Sequence, residues 1–294
     1  MWIPITLLAT TFQITRTARQ HQLRDLLSVN EAGFVRYLYG FPFALAALVI
    51  TVAVNGLPGI PARFWPIVVG AGIAQIGGTL ALLRSFDLRD FAIGTVYAKS
   101  EVILVAIASA LLLDEPLAPL GWVAALVCTA GVVWLAAPGR VRDLLRNPVD
   151  PAALMGVLAG LGFALAASGI RAAAASLDGG TTWDKALLTL TVMLGAQTLI
   201  NGTQIRLSSA GQVGRVVGAW RSALIVGVLS VGGSACWALA MTLTSAAKVR
   251  TLGQVELIAA FVVSAVWLRE RHVRAEYAAS ALVGIGIIGV ILLG

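Results

Sequence analysis

The feature that most constrains this chain is a recurrence. Apolar runs of about twenty residues follow one another with short polar connections between them. About 20 residues of helix cross the hydrocarbon core of a bilayer. The runs fall at roughly 2–20, 32–54, 64–84, 90–113, 118–137, 152–174, 183–203, 220–242, 245–268 and 275–294. The first carries Arg16 and Arg19 in its later part, and the seventh carries Gln197 and Asn201. Only 12% of the 294 residues are charged and 59% are hydrophobic. A soluble domain averages about 25% charged residues. Such a chain cannot hide its apolar surface in one aqueous core, so lipid is expected as its solvent.

The net charge of +7 does not point to nucleic acid. The basic residues are scattered between apolar runs, with no basic stripe and no interleaved aromatics. They are expected to orient helices in a membrane instead. Most arginines fall in odd-numbered connections, from Arg16 and Arg19 to Arg274, which places both termini outside the cytoplasm by the positive-inside rule. Cys128 and Cys236 lie inside apolar runs and read as small buried residues, without metal or redox spacing. His21 and His272 stand far apart in polar connections, and no cofactor is implied. The start, Met1-Trp2-Ile3-Pro4, lacks the basic region of a signal peptide. Asn201-Gly202-Thr203 fits the glycosylation pattern and reads as a chance match.

The longest polar connection, from Pro138 to Pro151, carries Arg140, Arg142, Asp143, Arg146, Asn147 and Asp150. It reads as a linker between halves: a first repeat over 1–139, a linker over 140–151 and a second repeat over 152–294. Laying the chain on itself with a shift of 155 residues puts Glu101 on Glu256 and Glu115 on Glu270. Gly72, Gly77 and Gly78 then fall on Gly227, Gly232 and Gly233, Trp65 on Trp220, Arg16 on Arg171 and Gly131 on Gly286. Five helices per half is an odd number, so the second half enters the membrane from the opposite side. The expectation is an all-α integral membrane protein of about ten transmembrane helices in two inverted five-helix repeats. Secondary transporters are built this way, with the substrate near the midplane.

Charge within a bilayer costs from about 2.5 kcal/mol upward per residue at a helix centre, so such residues face a cavity or a partner. The candidates are Arg36, Lys99, Glu101, Lys248, Arg250 and Glu256, with Gln75 and Gln254. Glu101 and Glu256 lead, being central in their runs and equivalent under the repeat. Desolvation favours the protonated form of a carboxyl and a nearby cation favours the ionised form. Each Glu can therefore carry a proton, hold an ammonium group, or pair with a cation on a neighbouring helix. Lys99, two residues from Glu101, stands about 200° around the helix from it, so the two are not expected to face the same spot, whereas Tyr97, four residues before Glu101, shares its face. Lys99 with Arg250 and Gln254 forms a second set, suited to a carboxylate or phosphate. Gly77-Gly78, Gly232-Gly233 and Gly156 with Gly160 are expected to let backbones approach closely. Trp237, four residues after Gly233, is placed to wall a cavity or to pack. Pro42 is placed to kink the second helix.

The stretch Val102–Glu115 (VILVAIASALLLDE), followed by Gly121–Gly131, resembles the fourth and fifth helices of the EamA-type branch of the drug/metabolite transporter superfamily. Leu257–Glu270 (LIAAFVVSAVWLRE) with the glycine-rich last run resembles the ninth and tenth, and Arg36 matches a position often Arg there. The resemblance implies ten helices around a central cavity, alternating access, and frequently export. It also implies the opposite orientation, with cytoplasmic termini.

The expected function is secondary transport of a small zwitterionic or anionic metabolite, such as an amino acid, across the cell's inner (plasma) membrane. The expected partners are lipid, a small-molecule substrate and protons as a coupling ion, in a monomer or homodimer. A proton-coupled exporter of organic cations is the alternative. A lipid-modifying enzyme is disfavoured, because the loops are short and hold no paired acids, metal cluster or nucleophile motif. A non-transporting scaffold would tolerate Gln at both Glu positions.

Overall fold

The computed structural model describes residues 1–22, 26–88, 96–136, 150–208, 211–262, 265 and 273–294. The expected linker centre, with Arg140, Arg142, Asp143, Arg146 and Asn147, lies outside the described residues, as do Arg24, Arg89, His272 and Glu270. The described residues form helices and connections, with one isolated bridge between Gly59 and Asp178. Eight helical segments are long and apolar enough to cross a membrane. The protein is an all-α, multi-pass membrane protein.

Thirteen helices are described. They are α1 (Trp2–Gln22), α2 (Val29–Leu38), α3 (Phe41–Asn55), α4 (Phe64–Leu88), α5 (Glu101–Leu113), α6 (Pro119–Ala136) and α7 (Pro151–Ser176). Then come α8 (Thr182–Ser208), α9 (Gln212–Gly218), α10 (Trp220–Leu243), α11 (Ala246–Gly253), α12 (Val255–Val262) and α13 (Arg274–Leu293). The eight long apolar segments correspond to the second to eighth and the tenth expected runs. The first run does form a helix of 21 residues, α1, but its Arg16, Arg19 and other polar residues keep it out of that set. The ninth run is not one continuous helix: it is split into α11 and α12. The seventh run, with Gln197 and Asn201, forms the longest helix, α8.

Local chemistry explains the boundaries. Pro42 has no N–H to offer and its ring crowds the carbonyl four residues back, so the second run is interrupted at Tyr39-Gly40 and restarts as α3. Asp150 accepts from the Ala152 N–H at 3.0 Å and Pro151 opens α7, where a missing N–H costs nothing. Gly179 and Gly180 adopt φ of 66° and 68°, a left-handed turn that a side chain would resist, and deliver the chain to α8. There Thr181 and Asp184 cap reciprocally: the Thr181 N–H and hydroxyl donate to the Asp184 carboxylate at 2.7 and 2.8 Å.

The chain divides into two compact units, each drawing on both halves of the sequence. The first comprises Met1–Ile76 and Gly169–Thr244, the second Gly77–Ser168 and Ser245–Gly294. The divisions fall inside α4 and α7.

In the first unit α1 packs on α10, and α8 packs on α2, α3 and α10. Gly232 and Gly233 meet the Phe12 ring and Cβ, which is the close approach expected of them. Three polar clamps among the described residues close this unit. Glu31 caps α2 through Ser28 and pairs with Arg215 of α9 at 2.7 Å. Asn55 donates to Asp184 at 2.9 Å, and Arg171 donates to the Thr242 carbonyl at 2.7 Å near the end of α10.

In the second unit α6 packs on α13, and α11 on α5. Backbones there approach through glycine: a Cβ on Gly286 would lie 2.5 Å from Cys128, and one on Gly131 would lie 2.7 Å from the Val283 nitrogen. Gly78 sits against Ala159 and Gly162, whereas no described residue of another helix lies within 4 Å of the place a Cβ on Gly77 would take. Gly77 therefore does not share the packing role expected of the pair.

Candidate functional site

The candidate site grows from two helix interruptions in the second unit. Before α5, residues 96–98 are helical and Lys99-Ser100 form a turn. The Lys99 N–H donates to the Val96 carbonyl at 3.1 Å and the Val102 N–H to the Lys99 carbonyl at 3.2 Å. Between α11 and α12 the same two bonds recur. The Gln254 N–H donates to Thr251 at 3.1 Å and the Leu257 N–H to Gln254 at 3.0 Å. Each is a tightened, three-residue link in place of the four-residue link of an α-helix. Lys99 and Gln254 are 155 residues apart, the spacing found in the sequence. The two interruptions thus share one backbone pattern at one shift.

These breaks create helix ends where the charges stand. Glu101 and Glu256 occupy the first turns of α5 and α12, the end of a helix whose dipole favours an anion. Arg250 lies in the last turn of α11, the end of a helix whose dipole favours a cation.

The ion pairs cross between the interruptions. Arg250 places Nε and Nη2 each 2.5 Å from Glu101 Oε1. Lys99 Nζ lies 3.0 Å from Glu256 Oε1 and donates to Gln254 Oε1 at 3.2 Å. The Gln254 amide donates to the Arg250 carbonyl at 3.3 Å, so one side chain touches both pairs. All four charged side chains are largely withdrawn from solvent: 7% exposed for Glu101, 18% for Arg250, 16% for Lys99 and 20% for Glu256. Gly160 of α7 comes so close that an added Cβ would lie 2.6 Å from Ser100 Oγ and 2.9 Å from the Ala98 carbonyl.

This arrangement corrects two expectations. The angle of about 200° between Lys99 and Glu101 presumed a continuous helix, and the helix is interrupted between them. Lys99, Arg250 and Gln254 do not form a basic set apart from the acids, because each cation is paired with one of the two Glu. Tyr97 is half-buried one turn before α5. Gln75 and Trp237 belong to the first unit. There Gln197, 1% exposed, donates to Gln75 Oε1 at 2.7 Å and to the Gly72 carbonyl at 3.4 Å. In the sequence Gln197 stands with Asn201 as a polar residue within the seventh run, and it is not among the candidate site residues. Its signal was available: an amide in mid-span must find another polar group.

Chemically, two carboxylates, a guanidinium, an ammonium and an amide can exchange ion pairs with a polar solute. They hold no activated nucleophile. Among the described residues no group of His, Cys, Asp and Glu is placed to hold a metal ion.

No family model and no curated protein matches the chain's sequence. A protein of known crystal structure, 17% identical, is similar in fold with a TM-score of 0.70 over 99% of this chain and 97% of its own. At that identity the likeness bears on the fold alone.

Proposed function

We propose that this chain is a secondary active transporter of a small polar metabolite such as an amino acid, of the drug/metabolite transporter type, and works as an exporter in the plasma membrane. In this reading α1 and the interrupted pair α11–α12 complete a set of ten crossings, arranged as two inverted five-helix repeats. Alternating access then operates around the charged network.

The observation that carries the reading is the crossed pairing of Glu101 with Arg250 and of Glu256 with Lys99 at two equivalent helix interruptions. Buried ion pairs stabilise a fold poorly and need another reason to be there. Broken helices with exposed termini are the way transporters present polar groups inside a bilayer. A zwitterion fits such a network, with its carboxylate toward Arg250 or Lys99 and its ammonium toward Glu101 or Glu256. An organic cation fits less well, because both acids are already neutralised by the protein's own cations.

The test is uptake into proteoliposomes of a mixture of radiolabelled L-amino acids, with unlabelled amino acids and a quaternary ammonium compound as competitors. Uptake blocked by amino acids and lowered in Glu101→Gln and Glu256→Gln is the expected result. Transport of the quaternary ammonium compound that amino acids do not inhibit would replace this reading with the organic-cation exporter.

A further inference from the structure

The formal charges of Lys99, Glu101, Arg250 and Glu256 sum to zero, in pairs closed at 2.5 and 3.0 Å. A carrier that is not an exchanger must change sides empty once in every cycle. If its site then holds bare carboxylates, that step drags desolvated charge through an apolar surround and stalls until a proton or cation compensates it. From the crossed pairs we infer that this protein completes its own site when empty, with Lys99 as a tethered stand-in for the substrate's ammonium, so that it catalyses net passage without an exchange substrate or a co-transported proton. The inference rests on the transporter reading above and replaces its active coupling by facilitated passage, driven by the metabolite's own gradient.

The two cations are not equivalent. Arg250 is held at the end of a helix, with two guanidinium nitrogens on one oxygen of Glu101. Lys99 sits in a turn on a flexible four-carbon stem and makes single contacts to Glu256 and to the Gln254 amide oxygen. Gln254 is oriented for this: its amide nitrogen is used by the Arg250 carbonyl, which turns its oxygen toward Lys99. Lys99 is therefore the partner that a substrate ammonium can displace from Glu256. Once displaced, its own ammonium is available to the substrate's carboxylate, and a zwitterion leaves the summed charge unchanged.

Among the described residues, the other titratable groups on the elements of this unit are Tyr97, Cys128 of α6, Lys248 in the first turn of α11, and Arg274, Glu276 and Tyr277 in the first turn of α13. Arg84 and Asp87 of α4 face each other at 3.7 Å on the exposed surface. Asp114, Glu115 and Asp150 lie beyond the ends of α5 and before α7.

The experiment compares influx of the same labelled amino-acid mixture into vesicles that are empty and vesicles preloaded with unlabelled amino acids, with a protonophore present throughout. Comparable rates are expected for the wild type. In Lys99→Gln the ratio of exchange to net influx should rise at least about tenfold, a floor well under the cost of an uncompensated buried charge. Lys99→Arg, which restores the charge on a less adaptable head, should bring the ratio back toward the wild-type value, which separates charge compensation from mere packing. A wild type that requires preloading, or whose flux the protonophore abolishes, overturns the inference and leaves the transporter reading standing. Equal loss of both rates in Lys99→Gln also overturns it, since Lys99 would then serve substrate binding or folding. Absence of amino-acid flux in every arm removes the reading and the inference together.

Discussion

Replacing Glu101 with Gln separates what the network does for the fold from what it does for transport. The carboxylate is 7% exposed and receives two guanidinium nitrogens at 2.5 Å on one oxygen. Gln offers one carbonyl oxygen and no charge, so Arg250, 18% exposed, loses the anion that neutralises it. Breaking a buried pair in this way costs about 3–5 kcal/mol. Glu256→Gln should cost less, about 1–3 kcal/mol, because Lys99 keeps the Gln254 oxygen at 3.2 Å. Removing both charges of the first pair, Glu101→Gln with Arg250→Met, should recover most of the single loss, with a coupling of about 2 kcal/mol or more. Reversible unfolding in mixed micelles, followed by the fluorescence of the eight tryptophans, measures these three and Arg250→Met alone, which completes the cycle. A Glu101→Gln protein within about 0.5 kcal/mol of wild type would refute the reasoning, as would strictly additive single changes. Lost flux with unchanged stability would assign Glu101 to substrate chemistry rather than to holding the bundle.

The remaining predictions concern packing and the first unit. Gly160→Ala drives a methyl into Ser100 and the Ala98 carbonyl and should destabilise by about 1–3 kcal/mol in the same assay, whereas Gly77→Ala, with no described residue of another helix within 4 Å, should not. Equal effects of the two would refute the close-approach reading of Gly160. Glu31→Ala removes both the reciprocal cap of α2 and the ion pair with Arg215, a loss of about 1–2 kcal/mol. Arg215→Ala, whose side chain is 54% exposed, should change stability by less than about 1 kcal/mol. A larger loss from Arg215 than from Glu31 would reverse that ranking.

Much of the helical plan was legible because it depends on local quantities. Run length and apolarity gave eight segments near their expected places, and Pro42 announced the interruption at Tyr39-Gly40 through its missing N–H. Gly160, Gly232 and Gly233 were readable as close contacts, because small residues inside lipid-spanning runs have few other uses. The candidate residues Glu101, Glu256, Lys99, Arg250 and Gln254 were likewise found by the cost of placing charge and amide groups in apolar runs. The splitting of the ninth run was not legible. No proline or paired glycine marks Gln254, and the tightened bond to Thr251 arises where the chain meets neighbours distant in sequence.

The sequence by itself determined which segments are helical, that lipid is the medium, and that two acids recur at one spacing. These follow from hydropathy, from the backbone's demand for internal hydrogen bonds, and from comparison of the chain with itself. Only the tertiary structure decided that Arg250 belongs to Glu101 and Lys99 to Glu256. Angles counted along a helix hold while its ladder is unbroken, and both ladders are interrupted at these residues. Pairing across 149 and 157 residues of chain depends on how α11 seats against α5, which no local propensity encodes.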